Sequence, residues 1–208
     1  MSITKKLVCL FTALATGLMI SACSMPVKII GGIPEPKDTV TAFFDSVCAG
    51  DFKQSDKYLS GMSLSMKNQI EGQFAQNLYD YIVKSYRYRL IGDVHSSQLD
   101  ADCKVEFTSL DLMLLSDDLK SLSTRLGKRY IAESREGYVE EKDGSITLTD
   151  EGAEKIAVEA LDQLMTDPDK YCSAKTYDII LKYQSGQWLI SITDDLFDAI
   201  CGGFSLED

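Results

Sequence analysis

The chain has 208 residues, 45% hydrophobic and 25% charged, with 32 acidic side chains against 21 basic ones and a formal net charge of −11. Fractions of this size belong to a chain that folds around a core, which excludes a disordered display arm. The carboxylate excess repels phosphate backbones and anionic head groups, so it excludes nucleic acid as a partner and charge as a means of holding a membrane.

At the N-terminus, Lys5 and Lys6 precede an apolar run of 14 residues from Leu7 to Ile20, and Ser21, Ala22 and Cys23 follow. A membrane span needs about 20 apolar residues. A basic start, a short apolar stretch and a small-residue exit have the order of a cleavable export signal. Ile20-Ser21-Ala22-Cys23 resembles the bacterial lipobox. That resemblance implies a diacylglyceryl group on the Cys23 sulfur, cleavage after Ala22, and an extracytoplasmic protein whose partner is the cell membrane, held through the lipid. Two long acyl chains, each buried methylene contributing about 0.8 kcal/mol, hold effectively permanently. Loss of residues 1–22 removes Lys5 and Lys6 and takes the formal charge from −11 to −13.

Residues 23–36 contain two glycines and three prolines and read as a tether. Residues 37–208 then suit one α+β domain with a single sizeable core. Val40, Phe43, Phe44 and Val47 recur at helical spacing behind Pro36 and Asp38, and Gly50-Asp51 breaks that helix before a second short one. Ile70, Phe74, Leu78, Tyr81 and Ile82 predict a longer helix over roughly 64–84. From Tyr86 the period falls to two, and Cys103, Val105 and Phe107 alternate with polar residues as on a half-buried strand. Leu115, Leu119, Leu122 and Leu126 restore helical spacing, and Glu133 to Asp143 reads as a solvated helix end or loop. Thr149 is a good N-cap, with Asp150 and Glu151 in the first turn and an apolar stripe through Ala153, Ile156, Ala157, Ala160, Leu161 and Leu164. Tyr177, Ile179, Leu181 and Tyr183, the turn Gln184-Ser185-Gly186-Gln187, then Trp188, Ile190 and Ile192 predict a hairpin. A short terminal helix is expected within Asp194 to Phe204.

Candidate chemistry is sparse. His95 is the single histidine, and Asp93 two residues away would share its strand face, a conceivable proton-transfer pair. One histidine excludes histidine-rich zinc sites. Cys48, Cys103, Cys172 and Cys201 lack C-x-x-C spacing, so metal and redox motifs are excluded, while a disulfide among them and free thiols remain equally open. Asp117-Asp118 and Asp194-Asp195 lack an EF-hand spacing and read as helix starts. Tyr79, Tyr81, Tyr86 and Tyr88 alternate with Arg87 and Arg89 as a helix end running into a strand. No cofactor or metal is expected.

Two segments carry a family resemblance. Residues 36–52, PKDTVTAFFDSVCAGDF, resemble the first helix and Gly-Asp turn of the nuclear-transport-factor-2-like, or cystatin-like, superfamily. Residues 179–192, IILKYQSGQWLISI, are similar to its closing Gly-x-Trp hairpin. The resemblance implies a curved antiparallel sheet packed against N-terminal helices, often around a cone-shaped cavity. Here that cavity would be walled by Phe44, Tyr79, Tyr183 and Trp188. Residues 110–170 exceed what a minimal member needs and are expected to hold a helical insertion between strands. The function expected is binding of a small ligand, peptide or envelope partner without catalysis. The alternative is an isomerase or lyase of the same fold using His95 and Asp93.

Overall fold

The computed structural model describes residues 29–30, 33–61, 63–64 and 71–201, with backbone only for 29–30. The segment read as an export signal and Cys23 lie outside the described residues, as does Ile70. Two short strands, β1 (Ile29–Ile30) and β2 (Ile33–Pro34), pair antiparallel within the segment read as tether. Its last residues are attached to the body: Ile33 packs on the core, and the Pro34 carbonyl accepts the Trp188 indole N–H at 2.8 Å.

Helix α1 (Pro36–Cys48) begins with Pro at a position where no backbone N–H is needed, and Asp38 sits in its first turn. Val40, Phe43, Phe44 and Val47 form one stripe, each fully buried. Gly50, at φ +71°, turns the chain, and the Asp51 carboxylate accepts the Gln54 N–H at 3.0 Å to start α2 (Phe52–Ser55). A 3-10 turn follows at Asp56–Tyr58. Helix α3 (Gln73–Ser85) starts later than the apolar spacing predicts, because Gly72 at φ +87° is not helical. Leu78 and Ile82 face the core.

Four strands form an antiparallel sheet in the order β3 (Arg87–Ser96), β4 (Asp100–Leu110), β7 (Cys172–Gln184), β8 (Gln187–Ser191). A register shift between Ile91 and His95 bends the edge strand β3. One face carries Cys103, Val105, Phe107, Ile179, Leu181 and Ile190, all buried beneath the helices. The other face is solvated and holds the exposed ion pairs Lys104–Asp178 (2.8 Å) and Arg89–Glu106 (3.0 Å). Period two along β4 and β7 therefore sorts residues cleanly between core and water. After β8, α6 (Asp194–Ile200) caps the packed face with Leu196 and Ile200.

Between β4 and β7 lies the expected helical insertion, α4 (Leu112–Ala132) and α5 (Asp150–Leu164), joined by a hairpin of β5 (Val139–Lys142) and β6 (Ser145–Leu148). It has its own small core of Leu122, Leu126, Tyr130, Ile156 and Ala160. Two expectations are corrected here. Part of the charge run 133–143 is strand: Asp143 (φ 54°) and Gly144 (φ 76°) both take positive φ, the turn that closes a two-residue hairpin. Ala153 is exposed, and Gly152 takes the buried place beside it, because the Tyr138 backbone passes too close for any side chain.

No helix among the described residues is long and apolar enough to cross a membrane.

Candidate functional site

The four aromatics expected to wall a cavity are placed as follows. Phe44 is fully buried, stacked on Tyr88 with ring centres 5.1 Å apart, edge-on to Phe43 at 4.9 Å and 5.9 Å from Phe107. Trp188 is buried and lies 5.3 Å from the half-buried Tyr183. Tyr79 is half-buried on α3, its phenol pushed up by burial and then by Asp80. Phe44 and Trp188 thus fill the space under the sheet, the aromatic rings packing against one another.

His95 and Asp93 are both exposed at the bulge of β3, where Gly92 sits at φ +73°. His95 faces Asp102 across the strand pair. The bulge removes the regular alternation that the two-residue spacing assumes.

All four described cysteines carry free thiols. Burial and then the neighbouring carboxylate push Cys48 (beside Asp45) and Cys103 (beside Asp102) up to about 11, and Cys201 (beside Asp198) up to about 12. Burial also raises Cys172, against the opposing pull of Arg87. Thiolate is the reactive form, so these thiols act as small hydrophobes.

A groove of about 810 Å³ runs along the outer side of α5, lined by Gln73, Tyr138, Glu154, Lys155, Glu159 and Asp162 among others. Its carboxylates are held in place. Glu159 accepts the Tyr130 hydroxyl at 2.7 Å, and Arg129 in turn donates to that hydroxyl at 2.7 Å. Asp162 accepts the Tyr81 hydroxyl at 3.2 Å and the Asn77 amide at 3.4 Å. Glu154 accepts the Gln73 backbone N–H at 2.8 Å, which joins α5 to the start of α3. The Arg135 guanidinium lies 4.0 Å from the Tyr130 ring centre and 4.6 Å from that of Tyr138, fixing the wall of the groove. Oriented carboxylates beside one aromatic face suit hydrogen-bond donors and cations.

None of the four aromatics expected at a pocket lines this groove. The sequence signal for it was present in Asp143-Gly144, a strong short-range hairpin signature. The hairpin brings Tyr138 against α5. Among the described residues, no group of three or more His, Cys, Asp or Glu is arranged to hold a metal ion.

No family model matches the chain. Nor does any curated protein match it. Among solved structures it is similar to the "putative lipoprotein (ycdA)" of Bacillus subtilis, at 18% identity and a TM-score of 0.38. The match covers 78% of this chain and 46% of that one, so the chain spans about half the length of that protein.

Proposed function

We propose that the chain is a lipid-anchored extracytoplasmic domain that binds a ligand, peptide or envelope partner on its surface and performs no catalysis. The observation that carries this reading is Ile20-Ser21-Ala22-Cys23 behind a short apolar run, since only such an exit requires a cysteine at that position. The burial of Phe44, Phe107 and Trp188 beneath the sheet supports binding at the surface. The groove on α5 is the candidate contact, and its carboxylates favour a cationic or donor-rich partner. His95 and Asp93 are open to water, which weighs against the alternative of acid–base catalysis in a closed site. The aromatic stripe of α1, the Gly50-Asp51 turn and the Trp188 hairpin support reading the domain as nuclear-transport-factor-2-like.

Replacing Cys23 by Ala tests the anchor. The variant should leave the membrane fraction for the soluble one, and intact mass should lack acyl groups that the parent carries. An unchanged membrane fraction would contradict lipid anchoring. Mass spectrometry of material co-purified with the lipidated parent, and with a variant carrying Glu154→Lys and Asp162→Lys, tests the groove. Identical bound material from both would remove it as the contact.

A further inference from the structure

We infer that the end of the sheet formed by the β3–β4 and β7–β8 turns lies against the bilayer, with Leu99 in contact with lipid. This rests on the anchor proposed above. Three observations place that end. The incoming chain joins the body there, because Pro34 is held by the Trp188 indole, and Trp188 stands beside Tyr183 next to the β7–β8 turn. Tyr183 in turn donates its backbone N–H to Leu99 at 2.8 Å, so both turns and the incoming strand share one end of the molecule. Only residues 24–28 separate Cys23 from β1, and five residues reach at most about 18 Å. The anchored body cannot stand far from the membrane.

The second observation is charge. The two turns themselves, Ser96 to Leu99 and Gln184 to Gln187, include no charged side chain, and beside them Asp100 stands opposite Lys182 in the strand pair. The opposite end of the sheet is acidic. There the second turn of α4, the 3-10 turn at Pro168–Tyr171 with its Asp167 cap, and the first turn of α6 bring Asp117, Asp118, Asp167, Asp169, Asp194 and Asp195 to the surface. Lys170, Lys175 and Arg87 pair with Asp118, Asp195 and Asp169 and offset part of this. An anionic bilayer therefore repels Asp117, Asp167 and Asp194 of the far end, unpaired among the described residues, more than it repels the two turns.

Apolar exposure is the third. Leu99 is 56% exposed at the uncharged β3–β4 turn, where it is free to enter the head-group boundary. Met113, 84% exposed, lies at the acidic end at the start of α4. If exposed apolar area alone chose the contact, Met113 would win. Charge and the point of attachment choose Leu99 instead.

The test uses the lipidated full chain in phosphatidylcholine vesicles containing a minority of phosphatidylglycerol. A benzophenone amino acid is placed at position 99 in one sample and at position 113 in another, and lipid adducts are counted after irradiation. Adducts several-fold more abundant at 99 than at 113 are expected. Equal or greater yield at 113, or none at either position while the protein floats with the vesicles, overturns this orientation and leaves the anchor standing. A chain that carries no acyl mass and does not float overturns the anchor, and this inference with it.

Discussion

Trp188 serves three purposes at one position. Its ring fills the space under the sheet, its edge packs on Tyr183, and its N–H satisfies the Pro34 carbonyl. Replacing it by Ala should cost about 3–5 kcal/mol, the usual range for a buried large aromatic. Urea denaturation measures this directly, and a loss below about 1 kcal/mol would mean that the ring is not part of the core. Buried polar groups follow the same rule of complete pairing. Ser55 donates to Ser46 at 3.0 Å, Ser46 donates to the Phe43 carbonyl at 2.7 Å, and Ser85 accepts the Leu110 N–H at 2.8 Å. Among the described residues, no buried side-chain nitrogen or oxygen lacks a partner. A serine inside α1 is therefore tolerated: it bonds back to its own helix and links that helix to α2.

Among the elements, α5 contains the sharpest conflict between local preference and packing. Alanine is the better helix former by about 1 kcal/mol, so Gly152 looks like a defect in the first turn. A Cβ there would stand 2.1 Å from the Tyr138 carbonyl oxygen, which is backbone and cannot swing away. Gly152→Ala should thus destabilise by about 1–3 kcal/mol, as overpacking does, despite its gain in helix propensity. Thermal denaturation decides the sign, and a stabilised variant would show that the β5–β6 hairpin yields easily. The two hairpins also show how far turn chemistry can be read. Ser185 (φ 53°) with Gly186 (φ 89°) and Asp143 (φ 54°) with Gly144 (φ 76°) form the same kind of turn. The first stands between plainly alternating strands. The second stands between Val139-Glu-Glu-Lys142 and Ser145-Ile-Thr-Leu148, where charge masks the strand pattern, and so it reads as a solvated run.

At the scale of the whole molecule there are two cores of unequal size. The larger holds the sheet, α1, α3 and α6, and the smaller joins α4 to α5, with Leu119 and Leu164 packed against both. The β5–β6 hairpin is almost wholly exposed and rests on the smaller core only through Tyr138 and Leu148. Regions with few buried contacts open at free energies well below global unfolding. Native-state hydrogen exchange should therefore find Glu141 and Ile146 amides far less protected than those of Val105 and Ile179. Equal protection across all four would mean that insertion and sheet unfold as one unit.

The α+β class, the half-buried strands and the position of the helical insertion are legible because each depends on residues adjacent in the chain. An apolar run, a period of two, a period of 3.6 and a cap with its first turn need no distant partner. The filled interior, the free state of the four thiols and the groove on α5 are not legible. Each depends on residues far apart in sequence: Phe44 meets Phe107, Trp188 reaches back to Pro34, and Glu154 reaches Gln73. Periodicity tells which side of an element faces inward. Whether facing side chains meet or leave a space is fixed only when the elements are brought together, and that is a matter of volume and register.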